Sequence, residues 1–279
     1  MALSLVMEIV IDDKKYKELL EAIRFLYGYD FTDYAEPSVK RRIVHFMDNR
    51  KIASIDDLGK ILLKDETVFE EFVQNLSVTV TEMFRDPSFY IKLREVVTTH
   101  LATYPIIKIW IAGCATGQEV YSIAILLREE GLLERAIIYA TDINQKSLQT
   151  AKNGIYALEE MKNYTHNYLK AGGKAAFSQY YIAKHNSVLF DRSLIQSSVF
   201  AAHNLATDQS FNEFQLIICR NVIMYFNQRL QDRVISLFYE SLSPFGFLGL
   251  GDKESILFSE KKSSFEEISR KEKMYRRFR

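Results

Sequence analysis

Gly113 and Gly117 bracket Cys114, Ala115 and Thr116, and the acid Glu119 follows two residues later. Two glycines around small residues let backbone come close to a ligand at a strand-to-helix turn. Asp142 closes the next apolar run, near the offset at which an acid grips ribose hydroxyls. Glycines and acid together point to a nucleoside cofactor. A dinucleotide site would carry G-x-G-x-x-G, with a pyrophosphate at the helix N-terminus. Here the spacing is G-x-x-x-G, and a carboxylate at Glu119 would repel a pyrophosphate. It suits a cation, such as the amino group or sulfonium of S-adenosylmethionine, although a first-turn acid also complements the helix dipole. No Gly-Lys-[Ser/Thr] supports a P-loop. The five histidines share no metal spacing, so no metal is expected. Cys114 and Cys219 belong to no Cys-x-x-Cys pair and read as buried structural thiols.

The elements that must position these residues have two textures. Residues 8–76 carry helical stripes: Tyr16, Leu19, Leu20, Ile23; Val39, Ile43, Phe46, Met47; Leu58, Ile61, Leu62; Val68, Phe69, Phe72, Val73, Leu76. Gly28 and Pro37 fall between stripes. This predicts a small helical N-terminal domain. Residues 77–105 read as a linker and connecting helix, Ser77 to Arg85 being β-branched and polar. From residue 106 to 279, short apolar runs alternate with helical patterns: Ile106–Ala112, Ala136–Ala140, Phe214–Cys219 and Phe247–Gly251 as buried strands. Helices follow from Glu119, over Lys146–Ala151, and through Leu230, Val234, Leu237, Phe238 and Leu242, with Ser243-Pro244-Phe245-Gly246 as a stop. That alternation predicts an α/β, doubly wound, mostly parallel sheet with crevices at the strands' carboxyl ends. Gln179–Ala183, Ser187–Phe190 and Ser198–Ala202, set between turn signals, predict a small antiparallel insertion at about 171–204.

Composition narrows the function classes. Apolar residues make up 48% and charged residues 26%, as in soluble globular proteins. No apolar run suits a membrane span, so no membrane insertion is expected. Met1-Ala2-Leu3-Ser4-Leu5 lacks a basic n-region, so no secretory signal is expected and a cytoplasmic location is. The 36 basic and 36 acidic residues cancel, and no nucleic-acid partner is expected. Lys40, Arg41, Arg42, Arg50 and Lys51 form a basic cluster, readable as a dock for acidic helices or as a solvated helix face. Nothing demands a dimer, and a monomer is expected.

The run from Ile109 to Ala124, containing Gly113-Cys114-Ala115-Thr116-Gly117-Gln118-Glu119, resembles the first cofactor motif of the bacterial chemotaxis receptor methyltransferases, the CheR family. Ala140-Thr141-Asp142-Ile143-Asn144, Asn153-Gly154-Ile155-Tyr156, and Cys219-Arg220-Asn221-Val222-Ile223-Met224-Tyr225-Phe226 resemble later motifs. So do Thr79 to Pro87, Tyr27 to Phe31, Lys40 to Ile43, Gly251-Asp252-Lys253-Glu254-Ser255 and Tyr275-Arg276-Arg277. The likeness spans the chain in order. It implies a class I S-adenosylmethionine-dependent methyltransferase fold with an all-α N-terminal domain and an inserted β subdomain that contacts the receptor.

The resemblance implies that S-adenosylmethionine is touched by Thr79, Thr81 and Arg85, with Glu119 on its amino-acid part and Asp142 on its ribose. Asn204 and Leu205 match the pair beside the adenine, and Asn221 and Val222 the pair after Cys-Arg. Arg85 and Tyr225 match residues near the transferring methyl. The implied reaction is methylation of glutamates on chemoreceptor cytoplasmic helices. A related signalling array, or a receptor adaptor without turnover, remains as an alternative. Departures are Gln118 where many relatives have an acid, Val120 for a proline, Asp252-Lys253 for His-Ser, and Thr79 for an asparagine.

Overall fold

A computed structural model describes residues 11–76 and 81–278. The chain parts into two compact units. One comprises residues up to 78 with Tyr225–Leu230; the other comprises 79–224 and 231–279.

The first unit is helical: α1 (Asp13–Tyr27), α2 (Glu36–Arg50), α3 (Ile55–Lys64) and α4 (Glu66–Leu76). Asp12 caps α1 by accepting from the amides of Lys14 and Lys15, and Gly28 ends it in the left-handed region. Ser54 caps α3 through the Asp57 amide. The apolar stripes meet in one core, with Ile43, Met47, Leu58 and Phe72 fully buried. Tyr225–Leu230 joins this unit by backbone. The Ala35 amide donates to the Tyr225 carbonyl at 2.7 Å, and the Asn227 amide to the Asp33 carbonyl at 2.8 Å.

The second unit runs α5 (Pro87–Thr99), β1 (Ile107–Ala112), α6 (Gln118–Glu129), β2 (Ala136–Asp142), α7 (Gln145–Asn153), β3 (Ile155–Ala157) and α8 (Met161–Lys170). It continues with β4 (Tyr181–Lys184), β5 (Ser187–Phe190), β6 (Ser198–Ala202), β7 (Phe214–Cys219), α9 (Gln228–Ser241), β8 (Leu242–Leu250), β9 (Phe265–Ser269) and β10 (Met274–Arg277). The main sheet has the order β6-β2-β1-β7-β8-β10-β9. Strands β6 to β8 pair in parallel and β10 runs antiparallel to both its neighbours. Strands covered on both faces read as unbroken apolar runs, and Ile109, Trp110 and Ile111 are fully buried. Trp110 spends its indole N–H on Thr141 Oγ1 at 2.8 Å, so its burial leaves no orphan donor. The fold is the mostly parallel α/β sheet with an all-α N-terminal unit and a separate small antiparallel sheet.

Two expectations are corrected in detail. Ser198–Ala202 does not join the small sheet; as β6 it lies parallel to β2, with Asp142 opposite Ala202. The small sheet has the order β3-β5-β4, and its third strand is Ile155–Ala157. A half-exposed edge strand of a parallel sheet looks like a hairpin strand in sequence, which is why Ser198–Ala202 reads as part of the insertion; Ile155–Ala157 is too short to read as a strand. The expected stop at Ser243–Gly246 is instead the irregular start of β8. The helix ends at Ser241, and the register against β7 shifts between Phe214 and Leu216.

The small sheet is tied to α6 by Arg128, which donates to Asp191 Oδ2 at 2.8 Å and to Ser193 Oγ at 2.6 Å. Hydrogen bonds from Ser193 and Arg128 hold the Asp191 carboxyl at about 2, below its ordinary 3.8. A depressed carboxyl contributes stability above its unfolded value and loses it as pH falls through the folded one. Asp191→Asn should therefore lower stability at pH 6, by at most about 1 kcal/mol because the pair is part-exposed. The gap should close as pH falls from about 4 towards 2. Urea midpoints at pH 6 and pH 3 check both the sign and the window.

Candidate active site

Strand β1 lies between β2 and β7, the chain crossing to opposite sides from it, so a crevice opens at the carboxyl ends. The turn after β1 lines it. Gly113 (φ 76) and Gly117 (φ 94) take left-handed backbone, and Ala115 (φ 46) does so without being glycine. A Cβ on Gly113 would stand 2.5 Å from Val222 Cγ2, and one on Gly117 would stand 2.6 Å from Ala151 Cβ. Both glycines are required by close approach as well as by φ. The turn is pinned to β2: the Gly113 and Cys114 amides donate to the Thr141 carbonyl, at 2.8 and 2.9 Å. Asp142 accepts from the Ala115 amide through Oδ2 and from the Asn144 amide through Oδ1, each at 2.8 Å. Burial pushes its carboxyl above the usual range, against these amides, which favour the charged form.

Glu119 sits one residue into α6 and is mostly buried. Its Oε1 accepts from Arg220 Nη1 at 2.9 Å and from the Tyr90 hydroxyl at 3.1 Å. Arg220 Nη2 donates to Asp86 Oδ2 at 2.7 Å and to the Arg85 carbonyl at 3.0 Å, and the guanidinium lies 4.2 Å above the Phe89 ring. Burial works against the Arg220 charge, but Glu119, Tyr90 and Asp86 outweigh it and hold the guanidinium above its ordinary value.

Glu254 fixes the far wall. Its two oxygens accept from four backbone amides: Val222 and Met224 at 2.8 and 3.1 Å, Asn221 and Gly251 at 3.0 and 2.7 Å. These bonds seat Asn221 (φ 60) and press Val222 toward Gly113. Burial raises the Glu254 carboxyl, the four amides pulling the other way. Beyond β6, the Asn204 side chain accepts from the Ala206 amide at 2.9 Å, and Leu205 is buried. The His203 amide reaches the Asp142 carbonyl at 3.2 Å, which brings Asn204 and Leu205 beside β2.

Arg85 lies in the segment before α5. That segment is held by the Phe84 amide on Ser122 Oγ (2.9 Å), by Asn167 Nδ2 on the Met83 carbonyl (3.1 Å), and by Arg220. With Thr81, Glu82, Glu160, Asn163 and Tyr164, Arg85 lines a cleft of about 340 Å³. Among the described residues its guanidinium has no ion-pair partner. Asp86, its neighbour, is taken by Arg220.

The second unit thus brings together Gly113, Glu119, Asp142, Asn204, Leu205, Asn221 and Val222 at the carboxyl ends of β1, β2, β6 and β7. Thr81 and Arg85 share the cleft. Thr79 lies outside the described residues. Tyr225 falls in the first unit, where its ring lies under the Arg42 guanidinium at 5.4 Å. Most of the basic cluster is engaged in that unit: Lys40 with Asp13 and Glu36, Arg42 with the Asn75 carbonyl, Arg50 with Glu71. Cys114 and Cys219 are free and buried, and burial pushes both thiols up. No group of three His, Cys, Asp or Glu is placed to hold a metal among the described residues. No helix described is long and apolar enough to cross a membrane. Arg220, Tyr90 and Glu254 are the residues that sequence reasoning left without a role; Arg220 and Glu254 stood inside quoted motifs.

Residues 79–274 match the family model described as CheR methyltransferase, SAM binding domain, and residues 14–77 match CheR methyltransferase, all-alpha domain. A Pseudomonas putida protein named "Putative methyltransferase Cher3" is 48% identical over 95% of this chain and 97% of its own. Proteins named "Chemotaxis protein methyltransferase" are 28% identical in Listeria innocua, over 88% of this chain and 91% of that one. In Escherichia coli the identity is 26%, over 91% and 88%. The chain belongs to the CheR methyltransferase family, and its cofactor is S-adenosylmethionine. The residues present fit that group. Two carboxylates flank the glycine turn, and no Lys or Arg lies within residues 113–119 to serve a pyrophosphate.

Gly113→Ala should weaken S-adenosylmethionine binding at least tenfold. It combines a left-handed φ penalty of about 1–2 kcal/mol with an overpacking cost of about 1–3 kcal/mol. Val222→Ala added to it removes the nearest clash and should recover part of the affinity. Calorimetric titration of the single and double variants checks this; equal affinity in parent and Gly113→Ala would refute the close-approach argument.

Proposed function

We propose that this member of the CheR family methylates glutamate side-chain carboxylates on the cytoplasmic helices of a chemoreceptor. The products are glutamate methyl esters and S-adenosylhomocysteine. The observation that carries the reading is the Asp142 carboxylate bound to the glycine turn, with Glu119 at the start of the helix that follows that turn, in a chain whose relatives are named chemotaxis methyltransferases. When bound, the cofactor supplies an electrophilic methyl on a sulfonium. In this proposal Asp142 takes the ribose hydroxyls, Glu119 faces the amino group, and Asn204 and Leu205 border the adenine. Thr79, Thr81, Asn221 and Val222 complete the enclosure.

The acceptor needs no general base. A glutamate carboxylate has an unperturbed pKa of about 4.3 and is ionised at neutral pH. What the chain must supply is alignment and partial removal of water. Arg85, without an acid partner among the described residues, orients the incoming carboxylate through its forked donors. We place the protein in the cytoplasm as a monomer, with the small β sheet touching the receptor.

The test is transfer of labelled methyl from S-adenosylmethionine to a receptor cytoplasmic fragment, followed by mild base. Release of labelled methanol identifies a carboxyl ester. Glu119→Ala and Asp142→Ala should abolish saturable cofactor binding. Arg85→Ala should lower turnover by roughly 10²-fold at saturating cofactor while leaving thermal stability near the parent's. Cofactor binding without transfer to any receptor fragment would reject the substrate assignment. Full activity in Arg85→Ala would reject the role of Arg85.

A further inference from the structure

Arg220 joins three segments that are far apart in sequence. Its guanidinium bridges Glu119 at the start of α6 and Asp86 before α5, and it also holds the Arg85 carbonyl. The side chain is 3% exposed, lies on Phe89, and buries its Nε without an acceptor. It is therefore not solvated and cannot trade one partner for water. The segment it holds is strained, since Phe84 (φ 52) and Asp86 (φ 55) both adopt left-handed backbone. Such a segment keeps its shape only through outside partners. Two of these are neutral, Ser122 and Asn167; the charged one is Arg220.

The acid facing the cofactor's cation and the segment carrying Arg85 thus share one counter-ion. We propose that Arg220 is a positioning residue that couples cofactor binding at Glu119 to placement of the Arg85 segment. A ligand ammonium at Glu119 competes for the carboxylate that Arg220 now holds. The guanidinium then rests more fully on Asp86 and the Arg85 carbonyl, and the segment is fixed when the cofactor is in place. Asp86, in turn, draws Arg220 away from Glu119 and keeps that acid available. No hydrogen bond or ion pair joins Asp86 to Glu119 directly among the described residues, and Arg220 is the side chain that binds both.

The inference rests on the placement of the cofactor's amino group at Glu119, and a double-mutant cycle separates the two claims. S-adenosylmethionine affinity is measured by calorimetry on the full chain for Asp86→Asn, Glu119→Gln, both together, and each in an Arg220→Lys background. Lysine keeps the charge but not the fork that spans two carboxylates. Glu119→Gln should weaken binding more than tenfold; unchanged affinity would overturn the amino-group placement itself. Asp86→Asn should weaken binding at least threefold in the parent and have no effect once Glu119→Gln is present. In the Arg220→Lys background Asp86→Asn should also have no effect. If Asp86→Asn weakens binding by the same factor in all three backgrounds, or leaves the parent unchanged, Arg220 is a structural ion pair and the coupling is overturned. Thermal midpoints cannot produce this pattern, because loss of fold would lower affinity in every background alike.

Discussion

The close seat of Val222 against Gly113 is the contact on which the crevice depends. A side chain at 113 would stand inside the van der Waals radius of Val222. The turn after β7 could then not lie over the turn after β1. Glu254 supplies the force that keeps it there, because a buried carboxylate stripped of water must find donors, and it finds four backbone amides. Arg220 immediately precedes this turn. Its reach to Glu119 and to the Arg85 carbonyl follows from where the turn lies. One glycine–valine approach thus sets the wall, the acid and the loop together.

The electrostatics follow the same geometry. Asp86, Glu119 and Arg220 sum to one negative charge, and Asp142 adds a second acid across the turn. A site for a cationic ligand needs that sign, but unpaired buried carboxylates would be protonated or costly. Sharing one guanidinium between two acids gives Glu119 a charged donor at Oε1 while leaving its Oε2 without a protein donor among the described residues. Asp142 solves the same problem differently, through backbone amides from the turn it helps to shape.

Much of this was legible in the chain. The strands β1, β2 and β7 are covered on both faces, so their apolar runs announce them. Gly113, Glu119 and Asp142 are legible because each sits at a strand end or helix start that local pattern marks. The sheet that takes Ser198–Ala202, and the strand at Ile155–Ala157, were not legible. Both are short, part-exposed strands, and only pairing decides which sheet takes them. β9 and β10 carry no distinctive periodicity and were not anticipated. The partners of Arg220 were hidden for a different reason. Glu119 lies 101 residues away and Asp86 134, and no local spacing encodes an ion pair closed by the meeting of β7, α6 and the segment before α5.

The state of Arg85 shows why that hidden pair matters to the proposed reaction. An arginine beside an aspartate in sequence would ordinarily spend its charge on that neighbour or on another nearby acid. Here Asp86 is already held by Arg220, so the protein offers Arg85 no ion pair among the described residues. Its backbone is fixed by the Arg220 contact and by the bonds to Met83 and Phe84, while its guanidinium stays available in the cleft. A carboxylate nucleophile requires that combination. A guanidinium already paired with an acid would have no donors to align the incoming group, and one on a loose loop would lose the alignment that replaces a general base. By occupying Asp86, the buried arginine leaves the half-buried Arg85 without a competing acid, as the proposed reaction requires.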